Sequence, residues 1–429
     1  MTVEQLKKSV LQGDADSVFT EMCGVDPDAL PTKRQRAAEV CDSFKELFGD
    51  CEAMLFSVGG RSEISGNHTD HNCGRVLAAA VNLDILAVAA PTDDGTVTVK
   101  SEGFDADVVT ADRVAAPDES KFFTSGAIIA GMEKAFLDNG KKIGGFKAYT
   151  CSDVLCGSGL SSSAAFEVMV GNILNHLYND GAVSNEEIAV SAQYAENVYF
   201  GKPCGLMDQT ACAVGGFIAI DFEKAGEPGI KKVDFDLKTA GYDLCIVNTG
   251  GSHSDLNEDY ASVPREMKGV AALLGKSVLR KVSEDELYSN AQRIRNELGD
   301  RALLRAVHFI SENERVERQI AALEAGDTEA FLRDVINSGN SSWKYLQNVY
   351  TVKNVCEQGL SLALCMTERF FAKHSGGAWR VHGGGFAGTV QAFVPCELTE
   401  EYKSYMEGLF GKGNCYELNV RRGGALRVL

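Results

Sequence analysis

Apolar residues recur at helical spacing through the first fifty positions, at Leu6, Val10 and Leu11 and again at Ala37, Val40, Phe44 and Phe48. This stretch therefore reads as a helical lead-in. From Ala53 to Lys100 the pattern changes to short β-branched and alanine-rich runs such as Ile85-Leu-Ala-Val-Ala-Ala and Val97-Thr-Val-Lys. Gly59-Gly60, Gly66, Gly74 and Asp93-Asp94-Gly95 punctuate them, which predicts strands and tight turns. A helix is expected over Ser125 to Asn139 and a strand over Gly145 to Thr150. A glycine- and serine-rich turn then feeds a helix with Phe166, Val170, Ile173, Leu174 and Leu177 on one face. Further strands are expected at Phe217-Ile-Ala-Ile and from Tyr242 to Asn248. Ser283-x-x-Glu286 resembles a capping box, and helices interrupted at Gly326-Asp327 run to about Glu368. Strand-like Ala378-Trp-Arg-Val and Thr389-Val-Gln-Ala-Phe-Val flank a last glycine-rich segment. The turn-forming composition near residues 223–232 marks the expected domain boundary.

Composition narrows the function classes. The 429-residue chain carries 42 Lys and Arg against 60 Asp and Glu, a net charge of −18. Phosphate-backbone binding needs clustered cations, and the short Lys33-Arg34-x-Arg36 group is the densest basic run, so a nucleic-acid partner is not expected. The most apolar region, Val76 to Pro91, is interrupted by Asn82 and Asp84 and is too short to cross a bilayer, so no membrane partner is expected either. The N-terminus lacks an apolar signal core, and a cytoplasmic location is the expectation. Thirteen cysteines without a CxxC pair indicate neither a disulfide framework nor a zinc knuckle.

The most informative stretch is Gly157-Ser158-Gly159-Leu160-Ser161-Ser162-Ser163-Ala164-Ala165, between a strand and a helix. Glycines let the backbone approach a ligand, and serines at a helix N-terminus leave N–H groups and hydroxyls where the dipole favours phosphate. The third glycine of a dinucleotide fingerprint is missing, because residue 162 is serine. The lysine of a Walker loop is missing too, since no Lys or Arg lies between Lys147 and Lys202. An ordinary N-capped helix after a flexible turn is the alternative.

This stretch resembles the phosphate loop of the GHMP small-molecule kinases. Three more segments, in the order used by the galactokinase family, resemble its motifs: Gly60-Arg61-x-x-Ile64-x-Gly66-Asn67-His68-Thr69-Asp70-His71-Asn72, then Cys204-Gly205-Leu206-Met207-Asp208-Gln209 preceded by Ala195-Glu196-Asn197, then Gly383-Gly384-Gly385-Phe386-Ala387-Gly388. The resemblance spans about residues 40 to 395. It implies a two-domain α+β GHMP kinase fold with a ferredoxin-like α/β C-terminal domain. The expected divisions are a helical extension over residues 1–40, a sugar- and ATP-binding domain over 41–228, and a C-terminal domain over 229–429.

By the same resemblance Asp208 and Arg61 are catalytic, and Gly157, Ser158, Gly159, Leu160, Ser161, Ser162 and Ser163 bind ATP. Ser163 and Glu196 would hold Mg²⁺, an ion that an acidic protein lacking a loop lysine needs at the phosphates. Asn67, His68, Asp70, Gly205 and Tyr260 would meet the sugar, and the oligomeric state expected is a monomer or weak homodimer. Galactokinases typically have Glu where this chain has Asn67, Tyr where it has His71 and Pro where it has Gly59. The missing charge at Asn67 opens a galacturonate kinase as a rival to a kinase acting on the anomeric hydroxyl of galactose. A non-catalytic sugar and ATP sensor and another GHMP activity, such as on mevalonate, are further alternatives.

Overall fold

The computed structural model describes the chain except residues 111–113, 115, 155–158, 225–227 and 252–255. Two helices open it, α1 (Val3–Gln12) and α2 (Leu30–Phe48). Strands β1 (Met54–Ser65), β2 (Arg75–Pro91), β3 (Val97–Ser101) and β4 (Ala106–Val109) follow. Next come α3 (Ser125–Asp138), β5 (Phe146–Ser152), α4 (Ser162–Tyr178), α5 (Asn185–Tyr194), α6 (Met207–Val214), β6 (Phe217–Asp221) and β7 (Gly229–Val233). The rest comprises β8 (Tyr242–Asn248), α7 (Asn257–Leu273), α8 (Glu284–Ser289), α9 (Ala291–Leu298), α10 (Asp300–Glu324), α11 (Thr328–Ser341) and α12 (Gly359–Phe371), then β9 (Ala378–His382), β10 (Thr389–Pro395), α13 (Thr399–Phe410), β11 (Cys415–Leu418) and β12 (Leu426–Arg427).

An eight-stranded sheet runs β12-β1-β2-β5-β3-β4, with β6 on the early half of β2 and β7 on β6. Strand β2 is long enough to serve two neighbours: Arg75 to Ala79 pair with β6, and Ile85 to Pro91 pair with β5. Helix α4 packs over β1 and β2, and Val168, Ile173 and Leu174 join Val58, Leu77 and Ala87 in one core, which is why the strand–turn–helix unit holds together. The opposite face of the same sheet is covered by the first fifty residues. Leu6, Val10, Phe19 and Phe44 pack there on Leu55, Leu86 and Val88, so this segment is a docked layer. The second sheet is four-stranded and antiparallel, β11-β8-β10-β9. The division expected after residue 228 immediately precedes β7, and both β7 and β12 pair in the large sheet.

Local expectations and structure differ in two instructive places. Ser283 caps α8 through the Glu286 N–H at 3.2 Å, but the reciprocal glutamate arm is absent; complete capping boxes sit instead at Thr2 with Gln5 and Ser184 with Glu187. The helical run expected to reach Glu368 breaks after a π-turn at Ser342–Leu346, where Gln347 takes a left-handed φ of 59°, and resumes at Gly359. Among the described residues no helix is long and apolar enough to cross a membrane.

Candidate active site

Gly59 and Gly60 explain how β1 delivers Arg61. A Cβ at Gly59 would lie 2.5 Å from both Arg421 Cδ and Val81 O, and one at Gly60 would lie 2.8 Å from Leu160 O. Only glycines let the Arg421 stem pass one residue and the loop before α4 pack on the next. The departure at Gly59 is thus coupled to Arg421. Pairing between β1 and β2 is irregular between Gly59 and Arg61, and Arg61 emerges aimed at α6. Its Nε and Nη2 donate to Asp208 Oδ1 and Oδ2, each at 2.7 Å. Its Nη1 donates to Gly159 O, and its backbone N–H to Leu160 O at 3.0 Å.

Asp208 lies in the first turn of α6, where the helix dipole favours a carboxylate. Burial disfavours its charge, but the Arg61 guanidinium outweighs burial and holds its carboxyl below the usual range. Ser161, at the N-terminus of α4 with φ 56°, donates its hydroxyl to Asp208 Oδ2 at 2.5 Å. Ser161 makes no side-chain cap, so among the described residues the ordinary capped-helix alternative does not describe this turn, and a helix start of this kind suits an anion. Gly157 and Ser158 lie outside the described residues. Leu160 is a buried anchor, and Ser163 makes no side-chain hydrogen bond among the described residues. Beneath Gly159 sits His382, bonded to Ser62 at 3.0 Å and to Thr389 at 2.9 Å; burial holds it neutral, with a pKa of about 3. Sequence reasoning stopped at the glycines that follow His382 and missed it.

At the sugar end the structure corrects one expectation. Asn67 is 0% exposed and its amide is fully committed. Nδ2 donates to Glu63 Oε1 at 2.8 Å and Gly383 O at 2.7 Å, while Oδ1 accepts from Asn348 at 2.7 Å and Ser342 at 3.4 Å. It therefore offers no amide donor to a ligand; it fastens the signature segment to the C-terminal glycine turn. His68 and Tyr260 do the same through Gly384 O and Gly385 O, both at 2.8 Å. Asp70 differs, because its carboxylate takes no hydrogen bond among the described residues. A Cβ at Gly205 would meet Asp70 Oδ2 at 2.2 Å, so these two expected sugar residues are in contact.

Glu63 was not foreseen. It is buried against Asn67 and Arg380, whose Nη2 lies at 3.1 Å. Burial pushes its carboxyl above the ordinary range, and Arg380 opposes that shift. A glutamate two residues after Arg61, inside a segment that reads as a strand, was the available signal.

For a divalent ion, Glu196 follows α5 on the π-turn Ala195–Phe200. Its Oε1 accepts from Lys202 at 2.8 Å and its Oε2 from Gln209 at 2.7 Å. Gln209 also donates to Glu167 at 3.0 Å, one helical turn beyond Ser163; burial, then Glu196, push Glu167 up to about 8, and its Oε1 is buried without a partner. Among the described residues no three His, Cys, Asp or Glu groups converge as a metal cluster. A serine hydroxyl and a carboxylate are hard oxygen donors that fit Mg²⁺ when phosphate oxygens complete the shell. Lys202, 54% exposed, can swing away from Glu196.

The sheet-and-helix layers and the Arg61–Asp208 pair beside Ser161 at the start of α4 are those of a GHMP-type kinase. The family model "GHMP kinases N terminal domain" matches residues 126–216, and "Galactokinase galactose-binding signature" matches residues 42–91. Galactokinase of Streptomyces coelicolor is 34% identical over 379 residues, 87% of this chain and 93% of that protein. Galactokinase of Canis lupus familiaris is 29% identical over 409 residues, 92% and 97% of the two chains. The solved structure of Lactococcus lactis galactokinase complexed with galactose shares the fold, with a TM-score of 0.77 at 24% identity, covering 92% of this chain and 100% of that one. The chain belongs to the galactokinase family.

Proposed function

We propose that this chain transfers the γ-phosphoryl group of ATP to the anomeric hydroxyl of galactose. The observation that carries the reading is the bidentate Arg61–Asp208 pair facing the uncapped start of α4. Backbone N–H groups of the loop and the α4 terminus hold phosphates, and Arg61 balances charge both on Asp208 and on the transferring group. Asp208, ionised beside Arg61, accepts the hydrogen bond of the sugar hydroxyl and orients its lone pair. So weak a base takes the proton late, after the new O–P bond has begun to acidify the hydroxyl and the bond to the ADP oxygen has begun to break. Mg²⁺, held by Ser163 and Glu196, would neutralise phosphate charge.

Galactose is favoured over galacturonate because the buried Asn67 amide is committed to Glu63 and the Gly383 carbonyl and so offers no donor to a sugar carboxylate. Asp70, whose carboxylate takes no hydrogen bond among the described residues, is an acceptor suited to neutral hydroxyls. The intact Arg61, Asp208 and Ser161 cluster favours an enzyme over a sensor. The test is ATP turnover with galactose, galacturonate, N-acetylgalactosamine and glucose side by side, with sugar phosphate identified by NMR. Galactose 1-phosphate as the main product supports the proposal. A galacturonate preference overturns the substrate, and sugar binding without any phosphorylated product overturns the activity.

A further inference from the structure

The acids around Gln209 have more oxygens than donors. Gln209 Nε2 bridges Glu167 Oε2 at 3.0 Å and Glu196 Oε2 at 2.7 Å, while Glu167 Oε1 and Gln209 Oε1 are buried without a partner. Arg61 is taken up by both oxygens of Asp208. Charge balance in this pocket therefore falls to Lys202, whose Nζ lies 2.8 Å from Glu196 Oε1 in the one ion pair of Glu196 among the described residues. Local structure sets it there. The π-turn Ala195–Phe200 ends at Gly201 with φ 80°, where a Cβ would run into the Phe122 ring, and Glu196 O accepts both the Gly201 and the Lys202 N–H. Lysine is thus carried back over the glutamate that precedes it by six residues. The two members differ in freedom: the Glu196 side chain is 3% exposed and the Lys202 side chain 54%. The carboxylate is fixed, whereas the ammonium reaches in from solvent on a flexible stem.

We propose that Lys202 is a resident counter-ion of Glu196, which keeps a divalent ion off the free protein and yields the carboxylate when the ion arrives with a nucleotide. The inference rests on the reading of Glu196 as a ligand of that ion. An ammonium is a single charge and meets only Glu196 here, leaving the Glu167 and Gln209 oxygens unpartnered; a divalent cation brings twice the charge and takes several oxygens at once. Alone, such a cation must displace the lysine and leave it without a partner. Accompanied by phosphate oxygens, it frees an ammonium that has new acceptors beside it. Lys202 already acts through space on Asp208, in the pocket where the phosphoryl group is transferred.

The test follows Mn²⁺, as the probe ion, on nucleotide-free protein by electron paramagnetic resonance. Lys202→Met keeps the backbone turn and an unbranched stem without the charge. It should bind Mn²⁺ about tenfold more tightly than wild type, because a unit charge at contact distance no longer opposes the ion. Mn²⁺ should also raise its melting temperature more than that of wild type. Lys202→Arg, which restores the charge, should return both readouts to wild type. Adding Glu196→Gln to Lys202→Met should abolish the gain. With a non-hydrolysable ATP analogue present, wild type should take up Mn²⁺, and Glu196→Gln should weaken that uptake. If Lys202→Met binds Mn²⁺ no better than wild type, the proposal is overturned even where the substitution lowers stability, since a merely structural ion pair gives that pattern. If Glu196→Gln leaves Mn²⁺ uptake with the analogue unchanged, the ligand reading fails and the proposal with it.

Discussion

Asp208 and Asp84 are both aspartates clasped by arginine, and they differ in what is left open around them. Asp84 is 0% exposed and answers to Lys33, Arg36, Arg421 and the Ser57 hydroxyl. Asp208 has one arginine and one serine, and its side chain keeps 33% exposure. In both, burial opposes the charge and cationic partners overcome it, so both carboxyls lie below their usual range. The contrast teaches that pairing alone does not mark a working group. A carboxylate enclosed by cations on every side fastens the layers around it, whereas one with an open face beside an anion site can receive a substrate.

The largest expected effect breaks the pair at its working end. Asp208→Asn should lower kcat by about 10²–10⁴ while the protein still folds and binds ATP, as read by coupled ADP release. Near-normal turnover would move Asp208 to the fastening side of the comparison. Asp84→Asn should do the reverse, losing about 3–5 kcal/mol of stability in urea because buried cations are left without a counter-charge, with KM for sugar unchanged.

Third, pH should separate them further. The folded-state pKa of Asp84 is depressed, so its stabilisation is present above the unfolded value near 4 and is lost as pH falls toward the folded one. The urea stability gap between wild type and Asp84→Asn should hold from pH 8 to 5 and close below about pH 4. A smaller effect comes from Gly205→Ala, whose methyl would press on Asp70. Raising KM for sugar about tenfold with little change in KM for ATP is the expected result, in line with overpacking costs of ~1–3 kcal/mol. Smallest of all, Lys7→Ala removes a surface pair with Asp42 and should leave the melting temperature unmoved.

How much of this was legible depended on whether the signal was local. Strand, glycine-serine turn and helix were readable because β5 and α4 each carry their own periodicity. Arg61, Asp70 and Asp208 stood out because their motifs lie in short segments. Asn67 misled because a side chain's partners are not in its own motif: Asn348 and the Gly383 carbonyl come from far along the chain. Asp84 was seen only as an interruption of an apolar run. A charge inside a strand needs cations from elsewhere, but nothing local to Asp84 says which ones. They come from the short basic run Lys33-Arg34-x-Arg36 in α2: Lys33 is buried against Asp84, and Arg36 is mostly so.

The pairing of β12 with β1 places Leu426 and Arg427 beside Ser57 and Phe56, and Arg421 beneath Gly59. Synthesis runs from the N-terminus, so the sheet that carries Arg61 stays unfinished until β12 has been made. Order of translation and order of closure are therefore inverted here, and the usual sequence in which an early domain folds before a late one cannot apply to this pair. Arg61 emerges early and is locked late, and until then the edge of β1 that β12 will cover stays unpaired.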